Sequence, residues 1–430
     1  MAFKSDELFH YFYKLEDPFD VAPKERRQGL LTSVMQSADA LRNTMLIAGL
    51  HYAWNAGHLM SFEPTLLFHK IEAMNLINEF LQESGPKYGV CVRHIATLSF
   101  MECALGNITA AETHLNGLMR FMDVHRPPHI LNQAEFDLDD ELSNRYIILS
   151  YNFIHGFKSR LEGILEQSSP HQPHQRPSSS RVEELMHEWH KTEMHGLDIR
   201  LKALKMLPFF FTELPPTTKF LDIDGTEMVD CLINLTATAH LRSQSIDHHD
   251  QQVIWQEGAA TRLMLGFVGL HIESISGGDN TSWSTRSRTR LTSSWSGMAT
   301  ASGLYLHVIL QFWNAGEPIP TQLHRRVLYI LKQDLDHSRH WLGSGSRITS
   351  DLWFWKAFIG AMSLERGLTF DTQGILGPLR RTYKRFVQEW SVVIGVTMWD
   401  EAKEALAKIV WPEPFSLAHL AENLWYRSIS

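Results

Sequence analysis

Residues 65–124 read TLLFHKIEAMNLINEFLQESGPKYGVCVRHIATLSFMECALGNITAAETHLNGLMRFMDV, and their apolar side chains recur at helical rather than strand spacing. Leu67, Ile71, Met74, Ile77 and Leu81 fall on one stripe, with Lys70, Glu72, Asn75 and Glu79 mostly off it, and Gly85-Pro86 ends the segment. A second stripe, Val92, Ile95, Leu98, Met101 and Leu105, stops at Gly106. After the short Asn107-Ile108 link, Thr109 and Glu112 have the spacing of a capping box. Ala111, Leu115, Leu118 and Met122 then form a third stripe, which ends before Pro127-Pro128. Links this short favour antiparallel helical neighbours.

Working outward, residues 25–56 read as helix through Leu30, Leu31, Val34, Ala38 and Leu41 into a small-residue segment at Ala48, Gly49 and Ala53. Downstream, helices are expected over 138–166, 181–206, 226–243, 250–273, 300–314, 322–341, 351–364, 376–393 and 399–410. No alternating run of strand length recurs, so the expected class is all-α, a large array of antiparallel helices running through residues 1–430. Two stretches interrupt it. Residues 167–181 hold three prolines and no large apolar side chain, the pattern of a flexible linker. Residues 275–302 are rich in Ser, Thr and Gly, with Arg286, Arg288 and Arg290 alternating, and read as an exposed loop. Either break has the composition of a domain boundary, but helical periodicity resumes in the same way on both sides, which favours loops inserted in one array.

The chain has 430 residues, 44% hydrophobic and 20% charged, an ordinary globular composition that excludes disorder throughout. A formal charge of −8 is the wrong sign for a surface that wraps nucleic acid. Cys91, Cys103 and Cys231 are too few and too scattered for a disulfide framework or a cysteine-based zinc module, which suits a reducing compartment. The residues from Met1 to His10 lack the apolar core of a signal peptide. Apolar stretches such as Thr44–Trp54 and Gly303–Trp313 fall short of the ~20 residues that span a bilayer. A soluble intracellular protein, without membrane partners, is expected.

Each candidate chemical constellation has a plainer competitor. His187, Glu188 and His190 resemble a metalloprotease helix, but His-Glu-x-x-His requires a histidine at position 191, which is Lys. Asp334, Asp336, His337 and His340 place Asp336 and His340 one turn apart, the spacing of two metal ligands and equally of surface polar residues. His248-His249-Asp250 precedes a helix, where Asp250 serves as a cap; His171 and His174 belong to the linker. Gly343-Ser344-Gly345-Ser346 lacks the strand context of a nucleophile elbow and reads as a helix-ending loop. Cys91 stands next to Arg93 and His94, which lower a thiol pKa when they reach it, yet its place at a helix start is that of a structural cysteine. Arg380, Arg381, Lys384 and Arg385 offer an anionic contact, an import signal or a solvated helix face. Trp353, Phe354, Trp355 and Phe358 read as core. No phosphate-binding glycine motif occurs. No catalytic residue, metal site or cofactor is therefore expected.

Phe68–Leu81 and Ala96–Arg126, above all AAETHLNGLMRFMDVHR from Ala110, resemble the fungal-specific transcription factor domain of zinc-cluster regulators. Ala111, His114, Leu115, Gly117, Leu118, Arg120 and Arg126 carry the likeness, and Leu352–Ala361 and Trp399–Trp411 extend it. The resemblance implies an all-helical regulatory domain, nuclear, often dimeric, frequently encoded beside secondary-metabolite genes. Regulators of that family also bear a cluster of six cysteines that binds zinc and reads DNA, which three distant cysteines cannot form. The expected function is therefore a transcriptional regulator or co-regulator without its own reader. It would reach DNA indirectly, as a homodimer or beside a zinc-cluster regulator on another chain, or answer to a small-molecule effector. The alternative is a cofactor-independent biosynthetic enzyme, a cyclase or isomerase, that catalyses by shape in a pocket between helices and needs no recognisable motif. A scaffold with no ligand is the plainest reading.

Overall fold

A computed structural model describes residues 3–14, 24–82, 88–125, 138–168, 179–193, 195–243, 258–275, 291–311, 319–344 and 346–430. The elements in chain order are α1 (Ser5–Phe12), α2 (Lys24–Gln36), α3 (Ala38–Ala56), α4 (Glu63–Gln82), α5 (Tyr88–Ala104), α6 (Ile108–His125), α7 (Leu138–Ser168), α8 (Ser179–Thr192) and α9 (Gly196–Met206). There follow β1 (Ile223–Asp224), α10 (Thr226–Ser243), α11 (Ala259–Ser274), β2 (Thr292–Ser293), α12 (Trp295–Leu304), α13 (Thr321–His337), α14 (Trp341–Ser344), α15 (Arg347–Gly367), α16 (Gly377–Ile394), α17 (Trp399–Ala407) and α18 (Ala418–Ile429). The class is all-α. Its only strands among the described residues are the antiparallel pair β1 and β2, with Ile223 opposite Ser293. No helix among the described residues is long and apolar enough to cross a membrane.

The chain groups into two compact units, 1–127 with 135–217 and 255–269, and 128–134 with 218–254 and 270–430. Their limits fall at neither of the two stretches that composition singles out.

In the first unit, residues 25–56 are two helices and not one. Ser37 adopts an extended backbone, and its hydroxyl accepts the Ala40 N–H at 3.3 Å, capping α3. α5 is buried on all faces from Cys91 to Ala104, so its apolar stripe covers only part of what it buries. Two of its buried hydroxyls are paired: Thr97 shares a hydrogen bond with the Tyr146 hydroxyl at 2.9 Å, and Ser99 donates to the Ala111 carbonyl at 2.6 Å. The chain leaves α5 at Gly106, whose φ of +87° lies in the left-handed region; a Cβ there would also stand 2.3 Å from Val182 Cγ1. α6 begins at Ile108, and the side chain that caps it is Asn107, whose Oδ1 accepts the Ala110 N–H at 3.4 Å. The capping box read at Thr109 and Glu112 is thus displaced: Thr109 is already helical, and Glu112 pairs with Lys158 at 2.7 Å.

In the second unit, α15 is buried on every side from Ser350 to Leu364. Its indoles obey the rule that a buried donor finds an acceptor: Trp353 donates to the Leu335 carbonyl at 3.0 Å and Trp355 to the Val410 carbonyl at 2.8 Å. Phe354 stacks on Trp390 with ring centroids 3.9 Å apart. The loop expected through 302 ends earlier, because Trp295–Leu304 is a fully buried helix; residues 276–290 lie outside the described residues. Its Gly, Ala, Ser and Thr residues read as loop by composition, but they let a neighbour approach closely. A Cβ on Gly297 would stand 2.1 Å from the Asp334 carboxyl carbon. Residues 399–410 form the shorter α17, and α1 and α18 answer no expected helix. α18 buries Ala421, Leu424, Trp425 and Ser428.

Candidate functional site

Most sequence candidates fall apart on inspection of their neighbours. His187 and His190 sit on α8 without a shared ligand position: His187 Nδ1 donates to the Trp54 carbonyl at 2.7 Å, whereas His190 is fully buried, its ring 4.3 Å from that of Trp54. Asp336 pairs with Lys332 at 2.8 Å, His337 bonds the Gln333 carbonyl at 2.8 Å, and His340 bonds the His337 carbonyl at 3.0 Å. His337 and His340 are exposed, and Asp334 points elsewhere. Among the described residues no three His, Cys, Asp or Glu side chains are grouped to hold a metal ion. Residues 171, 174 and 248–250 lie outside the described residues.

Cys91 is buried, and burial pushes its thiol up to about 12, the opposite of an activated nucleophile. Ser346 of the Gly343–Ser346 run caps α15, its hydroxyl accepting the Thr349 N–H. In the basic group, Arg380 is committed to Glu365 through two parallel hydrogen bonds of 2.9 and 3.1 Å, while Arg381 and Arg385 remain exposed. Trp353, Phe354, Trp355 and Phe358 are all core.

Two buried charge clusters were not legible in the sequence. In the second unit, Lys356 Nζ meets Asp334 Oδ2 at 2.5 Å, with the lysine 1% and the aspartate 4% exposed at the side chain. Ser294 donates to Asp334 Oδ1 at 2.6 Å and accepts the Gly297 N–H at 2.9 Å, so one hydroxyl caps α12 and holds the carboxylate. Lys356 also donates to Ser293 Oγ at 3.1 Å. Asp222 has its carboxyl pushed up by burial and then by the Asp334 charge. In the first unit, Arg200 donates to Glu193 Oε2 at 2.7 Å, Thr261 donates to the same oxygen at 2.5 Å, and the guanidinium lies 4.4 Å from the Trp189 ring. Glu193 Oε1, Arg200 Nη1 and both nitrogens of His190 have no hydrogen-bond partner among the described residues. Burial, with the Arg200 cation adding to it, holds His190 well below the usual histidine range.

The surface shows a different feature. Leu67, Ile71 and Leu81, read as part of the core stripe of α4, are 53%, 44% and 54% exposed. The face that α4 buries carries Thr65, Leu66, Ala73, Ile77 and Phe80 instead. Two apolar stripes compete on this helix, and packing against α3 and α5 selects the second.

No protein-family model, no curated protein and no solved structure matches the chain.

Proposed function

We propose that the protein regulates transcription by association, reaching DNA through another protein and acting in the nucleus on genes of a secondary-metabolite cluster. One observation carries the reading: the apolar outer stripe of α4, Leu67, Ile71 and Leu81, overlaps one of the stretches that resemble the fungal regulatory domain, which holds Ile71 and Leu81. Surface apolar side chains aligned on one helix face are the currency of protein contact. The buried charge clusters add support. Asp334 with Lys356, and Glu193 with Arg200, are ion pairs closed off from solvent and fit a framework role better than contact with a substrate.

The experiment is deletion of the gene in its source organism, with transcripts and metabolites measured in the same strain. A regulator lowers the transcripts of a defined target set together. Unchanged transcripts with one accumulated intermediate, converted by the purified protein, would replace this reading with the cyclase or isomerase.

A further inference from the structure

The charge of α16 sits where it does nothing for the helix itself. Arg380, Arg381, Lys384 and Arg385 fall in its first half, with no acid in the first turn, so the cations gather toward the end where the helix dipole is already positive. Arg380 is balanced by Glu365, which Arg427 of α18 also approaches at 3.5 Å, so that one carboxylate serves two arginines. Arg381, Lys384 and Arg385 form no ion pair among the described residues. The only acid of α16, Glu389, is taken by Arg339. The outward line of the helix is ordered as well. Arg381, Arg385, Gln388 and Val392 follow at intervals of four, three and four residues and are all exposed, Val392 at 75%, while Tyr383, Phe386, Val387 and Trp390 hold the opposite face in the core. Two cations one turn apart open the line, and an apolar side chain closes it about 10 Å beyond Arg385 at 1.5 Å of rise per residue. Val393 and Met398, 48% and 56% exposed, continue the apolar end, and the next acids along the chain, Asp400 and Glu401, open α17.

We infer that this line of α16 receives an acidic amphipathic helix of another protein, its carboxylates against Arg381 and Arg385 and its apolar side chains against Val392. Charge complementarity selects the occupant. A chain of formal charge −8 repels an acidic partner over most of its surface, so unpaired cations confined to one line fix both the place and the direction of approach. The cationic end takes the acids, and the end that leads to Asp400 and Glu401 takes the apolar residues. The same charges exclude other occupants. A second copy would set this cationic line against its own kind if the two lines met. Nucleic acid is held by ~6–10 phosphate contacts or by stacking on exposed rings, whereas the line has three unpaired cations and the rings of Tyr383, Phe386 and Trp390 are buried. Val392 gives a phosphate nothing. An acidic helix with an apolar end uses every exposed side chain of the line.

This rests on the reading above, association with another protein, and names that protein's chemistry. The probe is a fluorescein-labelled synthetic helix of about 16 residues, with two glutamates one turn apart and two leucines further along the same face. Anisotropy with the full chain at ~50 mM salt should give a Kd on the order of 50 µM, weakening severalfold at ~200 mM. Replacing the glutamates of the peptide by glutamines, or Arg381→Glu with Arg385→Glu in the chain, should raise Kd by about tenfold or more, and Val392→Asp should raise it about threefold. Arg120→Glu with Lys191→Glu makes the same change in net charge at exposed positions of the first unit and should leave Kd alone. A peptide with lysines in place of its glutamates should recover binding to the Arg381→Glu, Arg385→Glu chain, which shows both that this variant is folded and that charge is what is read. No affinity for the peptide, equal affinity for its glutamine form, or a loss in the control pair as large as in the α16 pair would each overturn the inference. So would duplex DNA or phosphatidylserine vesicles that hold the chain through Arg381 and Arg385 at ~150 mM salt where the peptide does not. A chain that controls transcripts and ignores the peptide loses this inference alone; one that binds the peptide and leaves transcripts unchanged loses the regulatory reading alone.

Discussion

Among the described residues each unit has an ion pair buried at both side chains, and the two are solved differently. In the second unit, Asp334 receives a lysine and a serine hydroxyl, the lysine reaches a further serine, and the carboxylate packs against Gly297 in the first turn of α12. In the first unit, Glu193 gathers Arg200 and Thr261 on one oxygen, leaving the other oxygen, and Nη1 of the arginine, without a hydrogen bond among the described residues. Burying a charge is repaid only where geometry and accessory hydrogen bonds are complete. Asp334–Lys356 thus acts as a fastener that ties β2, α12, α13 and α15 together. Glu193–Arg200 joins the end of α8 to α9 and α11 with fewer hydrogen bonds, and the Trp189 ring lies under the guanidinium.

The largest effects should come from removing one member of a pair. Asp334→Ala strands Lys356 and should cost about 3–5 kcal/mol of unfolding free energy, and Glu193→Ala should do the same to Arg200. The double replacements separate the units. Glu193→Leu with Arg200→Met should be near neutral, because it removes Glu193 Oε1 and Arg200 Nη1, which lack partners among the described residues, and takes the acceptor only from the Thr261 hydroxyl. Asp334→Leu with Lys356→Met should still cost about 2 kcal/mol, since it removes a pair whose hydrogen bonds are made and takes the acceptor from the Ser294 hydroxyl. Urea titrations of the four proteins check this, and equal costs for the two double variants would erase the difference drawn here.

Acid should test both units through their buried histidines. His190 is held well below the usual range, and burial brings His324, bonded to Ser363 Oγ at 2.5 Å, down to about 3. As pH falls below ~6.5 the unfolded chain takes up a proton on each of these imidazoles and the folded chain does not. Stability then drops by ~1.4 kcal/mol per pH unit for each histidine, for His324 until pH reaches about 3. His324→Gln should make the fall in stability between pH 6.5 and 4.5 shallower by one proton in a urea series. An unchanged slope would place the acid sensitivity elsewhere.

Single hydroxyls should give the smallest effects and the finest contrast. Ser294→Ala removes both the α12 cap and a hydrogen bond to Asp334 and should cost about 2 kcal/mol; Thr261→Val removes one hydrogen bond to a carboxylate oxygen that Arg200 still holds and should cost about 1 kcal/mol. Thermal melts that reversed this order would show that Glu193 depends on Thr261 more than on Arg200.

Helix periodicity was readable where apolar and polar positions alternate cleanly. The stripe Ala111, Leu115, Leu118 and Met122 is buried as read, and 226–243 matches α10 to the residue. Spacing is silent in α12, which is buried on every side and built mostly of small residues. α12 looked like a loop because its small residues carry no periodicity, yet smallness is what lets Gly297 lie against Asp334. α18, which answers no expected helix, does carry the helical period, in Ala421, Leu424, Trp425 and Ser428. Asp334 and Lys356 gave no signal because they are 22 residues apart, and Glu193 and Arg200, only 7 apart, stand on either side of the break between α8 and α9, with Thr261 joining them from 68 residues away.

The all-α class, the absence of recurring strand patterns and the helix end at Gly106 follow from the chain itself, because local spacing and glycine act over a few residues; the end read at Gly85-Pro86 lies outside the described residues. Which face each helix buries was decided only in three dimensions. On α4 two apolar stripes offered comparable hydrophobic surface, and the complementary faces of α3 and α5 took Leu66, Ala73, Ile77 and Phe80 inward and left Leu67, Ile71 and Leu81 in solvent. The gain from burying apolar area depends on how well the opposing surface fits it, and that surface is made of residues far away in sequence.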